Sequence, residues 1–216
     1  MFFIIIIIKL KLIQILNRMT KDMNQDKVTN RGTGAGGKNT NLHGKAFETM
    51  TCNQKRLLGQ GYERSSFIEP KKVSDFYLTK TFEDKTIVFV VQQGLKVYMK
   101  MKYGIEMIRN PDEAYIVEYK HGRKVLKILE KKEQHVSGSV EDKLWAFLGF
   151  KKEYEYVCKG FEIHYAGTVS EFLKNKFMTA TKFKILMDVI LKEESIPIFF
   201  GSENNYFDLL DEWIHR

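Results

Sequence analysis

The residues with the most chemical promise are two acids and a lysine, Asp112, Glu130 and Lys132. Side chains alternate along a strand, so Leu126, Ile128, Glu130 and Lys132 share one face of the stretch from Lys124 to Lys132. On that face two apolar residues are followed by a carboxylate and an ammonium. An acid in such a place stays solvated, pairs with a cation or binds a metal. Ala114 to Tyr119 is the preceding strand, and His121-Gly122-Arg123 is the turn between them. A hairpin folded about Gly122 sets position 112 against position 132, which brings Asp112 close to both Glu130 and Lys132. Two neighbouring carboxylates repel unless a cation neutralises them, and their hard oxygens suit Mg²⁺. Pro111 takes the strand's first position, where no ladder donor is lost.

The rest of the chain has to position that hairpin. Asn41 can cap a helix starting near His43, with Ala46, Phe47, Met50, Leu57 and Leu58 as apolar positions and Gly59-Gln60-Gly61 as its end. Phe76–Leu78 and Thr86–Val91 read as strands around the charged turn Glu83-Asp84-Lys85. Leu95, Tyr98, Met99 and Lys102 sit at helical spacing, and Gly104 closes that segment. Ser139 starts a further helix with Leu144, Trp145 and Leu148 on its apolar face. Tyr154–Cys158 and Phe161–Tyr165 read as a pair of strands. Phe183, Leu186, Met187, Ile190 and Leu191 follow an amphipathic helical period. Ile196–Phe200 is a short buried strand, and Tyr206, Phe207, Leu210, Trp213 and Ile214 mark a last helix. Helices and strands alternate without strict βαβ regularity. The expected fold class is α/β, a mixed central β-sheet flanked by α-helices.

Composition narrows the function classes. The chain has 216 residues, 44% hydrophobic and 29% charged, as expected of a soluble globular domain. Cys52 and Cys158 are too few for a disulfide framework or a multi-cysteine zinc site, and are expected as reduced thiols in a cytoplasmic compartment. The net charge is +8, but residues 1–45 hold eight Lys/Arg against two Asp, which leaves +2 for the other 171 residues. A basic arm of this kind favours a polyanionic partner. Residues 1–28 are expected to be an apolar and basic leader outside the fold, with one domain over 29–216. The apolar run Phe2–Ile8 falls far short of the roughly 20 residues that span a bilayer, so no membrane partner is expected. Gly32, Gly34 and Gly37 nearly fit phosphate-loop motifs. No buried strand precedes them, and Asn39 stands where a P-loop needs Ser or Thr. Nucleotide binding is therefore excluded. The segment reads either as a flexible glycine linker or as a basic loop whose backbone amides, Arg31 and Lys38 touch DNA phosphates. There is no Gly-x-Ser-x-Gly elbow, and the five histidines are scattered.

Pro111-Asp112, then Glu130-Lys131-Lys132, resembles the P-D…(D/E)-x-K pattern of the PD-(D/E)XK nuclease superfamily. The likeness extends to Gly44-x-x-Phe47-Glu48, Arg109-x-Pro111-Asp112-Glu113, Glu130-x-Lys132-x-Gln134 and Gly138-Ser139-Val140-Glu141-x-Lys143-Leu144-Trp145. With the late Phe199-Phe200-Gly201 and Tyr206-Phe207 segment, these are similar to type II restriction endonucleases of bacteria and large DNA viruses. The resemblance covers residues 29–216 and implies a restriction-endonuclease-like fold. It implies that Asp112 and Glu130 bind Mg²⁺ with the Lys131 carbonyl, that Glu48 adds a metal or water ligand, and that Lys132 orients water or stabilises charge on the phosphate. Gln134 would touch water or DNA beside them. Arg31, Lys38, Asn41, Arg109 and Lys143 are the expected DNA contacts. The implied activity is hydrolysis of phosphodiester bonds in double-stranded DNA, with a companion methyltransferase and a possible homodimer. A second reading is a non-catalytic nucleic-acid-binding protein that uses its basic N-terminal arm.

Overall fold

The computed structural model describes residues 47–67, 76–134 and 140–216, all of which fall in one compact unit. The expected leader, and the loop with Arg31, Lys38 and Asn41, lie outside the described residues. Residues 47–50 are helical and lead to α1 (Gln54–Gly59). Then come β1 (Glu63–Ser66), β2 (Phe76–Thr81), β3 (Lys85–Val91), α2 (Gln93–Tyr103), β4 (Glu113–Tyr119) and β5 (Lys124–Lys132). They are followed by α3 (Val140–Val157), β6 (Glu162–Val169), α4 (Glu171–Thr179), α5 (Thr181–Met187), a π-helical turn (Asp188–Glu193), β7 (Ile198–Phe200) and α6 (Tyr206–His215). The strands form one seven-stranded sheet in sequence order. β1 to β5 are an antiparallel meander, while β6 and β7 run parallel to β5. The protein is thus an α/β fold with a mixed sheet and flanking helices, as the sequence predicts.

Strand parity sorts the core into two layers. Val88, Val90, Ala114, Ile116, Leu126 and Ile128 pack with Leu95, Met99, Leu144, Phe147, Leu173 and Phe183, from α2 to α5. Ile87, Phe89, Tyr115, Val117, Val125 and Leu129 pack with Leu57 of α1 and Leu210 and Ile214 of α6. Both faces of β3 and β4 are therefore covered, which is why their sequences are unbroken apolar runs rather than alternating ones.

Three expectations are corrected. Residues 154–157 belong to helix α3, not to a strand paired with 161–165. Tyr154 is buried and Tyr156 exposed. Residues two apart in a helix point about 200° apart, so such a contrast imitates strand alternation. The first helix is not continuous up to Gly59. It breaks at 51–53, where the N–H and Oγ1 of Thr51 both bond the Phe47 carbonyl, and Met50 and Leu58 are left exposed. The amphipathic segment from Phe183 passes from α5 into the π-helical turn instead of remaining one α-helix. Gly104 does stop α2, in the left-handed conformation at φ 69°.

Two lysines dock α6 by its C-terminal carbonyls. Lys127 Nζ donates to the Trp213 carbonyl at 2.6 Å, and Lys85 Nζ donates to that of His215 at 2.7 Å. These cations sit at the negative end of the helix dipole. Lys127 is fully buried, and burial, with Lys85 adding to it, pushes its ammonium pKa down to about 8. The unfolded chain therefore holds this proton more tightly than the folded one. Between pH 8 and the ordinary lysine range, wild type is expected to gain stability relative to Lys127→Met as pH rises. Thermal unfolding of both proteins from pH 7 to pH 10 checks the sign. A difference, wild type minus variant, that stays constant or falls as pH rises would contradict it.

Gly167 is required for a different reason. It pairs with Glu130 across β5 and β6. A Cβ there would lie 2.5 Å from Phe147 Cε2 and 2.9 Å from Ile198 Cδ1. Gly167→Ala is expected to destabilise the protein by about 1–3 kcal/mol through overpacking, read from the midpoint of urea unfolding.

Candidate metal-dependent site on the central hairpin

The β4–β5 register pairs Glu113 with Leu129 and Glu118 with Lys124, so the hairpin folds about position 121 rather than Gly122. One step beyond the Glu113–Leu129 pair, Asp112 faces Glu130, with Lys132 one pleat further along. The offset from expectation is two residues. It slides the partners along the face without moving them to the other side. The structure therefore brings Asp112, Glu130 and Lys132 together. Lys132 Nζ lies 2.7 Å from Glu130 Oε2 and 4.0 Å from Asp112 Oδ2. The Lys131 backbone N–H donates to Asp112 Oδ2 at 2.6 Å.

The electrostatics are those of crowded acids. Burial pushes the Glu130 carboxyl up; Lys132 pulls it down, while the charge of Asp112 raises it further. The Glu130 side chain is only 14% exposed. Tyr154 and Tyr165 feel its charge, and both hydroxyls are pushed up, first by burial and then by Glu130. Neither buried hydroxyl has a hydrogen-bond partner among the described residues. Glu48 stands on the helical residues 47–50 and is exposed. Its carboxyl is also raised, by partial burial and by Asp112, with Lys131 and Lys132 opposing. It thus shares the field of the same site.

The donor set fits a hard divalent ion. Oδ1 of Asp112 and Oε1 of Glu130 accept no hydrogen bond among the described residues, and a single ammonium stands close to the two acids. Mg²⁺ is commonly held by one or two carboxylates, with water or substrate phosphate completing its shell. Among the described residues no three His, Cys, Asp or Glu side chains converge on one metal position. Glu48 is a neighbour of the pair, and its carboxyl feels the charge of Asp112.

The other expected residues are placed as follows. Gln134 is buried past the end of β5, where its N–H donates to Ser170 Oγ and its carbonyl accepts from the same hydroxyl. Arg109 is held by Glu153, with Nε–Oε1 at 2.7 Å, and its guanidinium stacks 4.1 Å above the Phe150 ring centroid. Its charge still reaches Glu130 and lowers that carboxyl. Lys143 is exposed on α3. Cys158 is a buried free thiol and Cys52 a half-buried one.

Sequence reasoning missed a second ionic group directly behind the first. Glu113 and Lys131 point to the opposite face, and their side chains are 2% and 3% exposed, with Nζ–Oε1 at 2.7 Å. One signal was available. Glu113 opens the run Ala114–Val117, which has no polar parity. In a strand covered on both faces, an acid on either parity must be buried and paired.

The chain matches no family model, no curated protein and no solved structure. Among the described residues no helix is long and apolar enough to cross a membrane.

Proposed function

We propose that this chain is a Mg²⁺-dependent DNA endonuclease of the restriction type, a member of the PD-(D/E)XK superfamily. The observation that carries the reading is the convergence of Asp112, Glu130 and Lys132 on one sheet face, with Glu130 largely withdrawn from water. The order of motifs around them supports it, as does an antiparallel hairpin followed by a helix and a parallel strand.

Asp112 and Glu130 would hold the metal through Oδ1 and Oε1, which accept no hydrogen bond among the described residues. A divalent ion held there would supply a coordinated water of lowered pKa and positive charge beside the phosphoryl oxygens. The Lys131 N–H fixes the rotation of the Asp112 carboxylate. Lys132, steered by Glu130, presents an ammonium where negative charge grows on the phosphorus-bound oxygens during in-line attack. One P–O ester bond breaks as one P–O bond to the water oxygen forms. Arg109, Lys143 and the basic arm with Arg31, Lys38 and Asn41 approach the double-stranded DNA backbone. Gln134 supports the end of β5 next to the site. A restriction role brings with it a companion methyltransferase, a cytoplasmic setting and, for paired cuts, a homodimer.

Purified protein incubated with unmethylated duplex DNA is expected to give discrete fragments with Mg²⁺ and none with EDTA. Folded protein that never cleaves varied duplexes would overturn the reading. The uneven charge favours a second one, a non-catalytic nucleic-acid-binding protein, because residues 1–45 carry most of the net positive charge. That reading expects DNA binding that collapses when residues 1–45 are removed, with no metal-dependent product.

A further inference from the structure

We propose that Glu113 and Lys131 are positioning residues of the Asp112–Glu130–Lys132 site, acting from the opposite face of the sheet. The inference rests on the nuclease reading and assigns that site's precision to a buried ion pair.

The two positions are interleaved with the site. Glu113 follows Asp112, and Lys131 separates Glu130 from Lys132. Their side chains point away from the site, yet they share its peptide units. Lys131 acts at both ends. Its backbone N–H holds Asp112 Oδ2 at 2.6 Å, and its Nζ donates to Glu113 Oε1 at 2.7 Å and to the Thr51 carbonyl at 2.9 Å. Glu113 accepts three further hydrogen bonds. Asn53 N–H reaches Oε1 at 3.1 Å, Asn53 Nδ2 reaches Oε2 at 2.6 Å, and the Tyr115 hydroxyl reaches Oε2 at 3.1 Å. Thr51 and Asn53 belong to the segment just after Glu48. One network therefore ties together β4, β5 and the stretch that follows Glu48.

An apolar pair would fill this space with no desolvation cost, so burial alone does not account for two charges here. What the charges add is direction. Four fixed donors on one carboxylate specify the strand register and the depth of the 51–53 segment. A site that binds metal through two carboxylates tolerates only small displacements, of about 0.5 Å.

The test uses three variants of the full chain: Glu113→Gln/Lys131→Met, Tyr115→Phe, and Ile214→Val on α6 as a destabilised control that packs in the core layer of Tyr115 but makes none of these hydrogen bonds. Each is measured for melting temperature, for Mn²⁺ affinity by calorimetry without DNA, and for the Mg²⁺ concentration giving half-maximal cleavage. The double variant is expected to weaken Mn²⁺ binding and raise the Mg²⁺ half-point by about tenfold or more, the usual effect of losing an outer-shell partner. Tyr115→Phe removes one hydrogen bond and is expected to shift both by about threefold. Ile214→Val lowers the melting temperature and leaves both metal values at wild type. A folded double variant with wild-type metal values overturns the inference, as does a metal shift that follows melting temperature across all three proteins. Should the double variant not fold, Tyr115→Phe decides, and unchanged metal values there reject the proposal. Wild type that neither binds Mn²⁺ nor cleaves DNA removes the nuclease reading itself. Wild type that does both, beside variants that match it, removes only this inference.

Discussion

Asp112→Ala is expected to reduce Mg²⁺-dependent cleavage by about a thousandfold, the scale of losing a charge-stabilising group in an active site, while the protein stays folded and still retains DNA on a gel. The residue is half-buried at the end of a strand, and its side chain accepts one backbone hydrogen bond. Removing it costs little packing. It takes away one of the two carboxylates and leaves Glu130 beside Lys132. With the charge of Asp112 gone, the Glu130 carboxyl is also expected to titrate lower, since Asp112 raises it. Lys132→Ala should cut cleavage to a similar extent by a different route. It strips from Glu130 the only close ammonium among the described residues, so metal affinity should not weaken while turnover falls. Cleavage rates across a Mg²⁺ series separate the two cases. Wild-type rates in either variant would remove the site from the chemistry.

The second large effect is on folding. Lys131→Met leaves the Glu113 carboxylate buried without its cation, and is expected to cost about 3–5 kcal/mol. Total stability is typically about 5–15 kcal/mol, so this single change consumes a large part of it. Urea unfolding followed by circular dichroism measures the loss. Adding Glu113→Gln should recover most of it, because the neutral amide no longer demands a counter-charge. The surface pair Lys100–Glu106 makes the contrast. Its contact distance is also 2.7 Å, yet both side chains are largely exposed. Lys100→Ala should leave the unfolding midpoint unchanged. A Lys131→Met protein as stable as wild type would show that water reaches Glu113.

Parity made the site legible. Alternation alone assigns Leu126, Ile128, Glu130 and Lys132 to one face, and the structure keeps them there. The turn centre was less legible, because His121-Gly122-Arg123 admits more than one pairing and only the ladder fixes it. The Tyr154–Cys158 segment misleads because the helix and strand periods differ little over five residues. β1 escapes notice because Glu63-Arg64-Ser65-Ser66 is a polar edge strand with little buried surface to impose a pattern. The Glu113–Lys131 pair escapes for a deeper reason. A charged residue is read as solvated by default, and only the tertiary cover on both faces reverses that reading. The roles assigned to Asp112, Glu130 and Lys132 came from resemblance, and the geometry adds to them proximity, partial dehydration and two carboxylate oxygens that accept no hydrogen bond among the described residues.

The sheet's change from antiparallel to parallel at β5 has a kinetic consequence. β4 and β5 close around the turn at 120–123, whereas β6 can dock only after the chain has traversed helix α3. Short loops close at little entropic cost and long crossovers close later. Asp112, Glu130 and Lys132 are therefore expected to meet while still bathed in water, with Tyr154 of α3 and Tyr165 of β6, whose hydroxyls feel the charge of Glu130, docking afterwards. The dehydration of the acid then belongs to the last ascent of folding, so its relief would appear as slower unfolding rather than faster refolding.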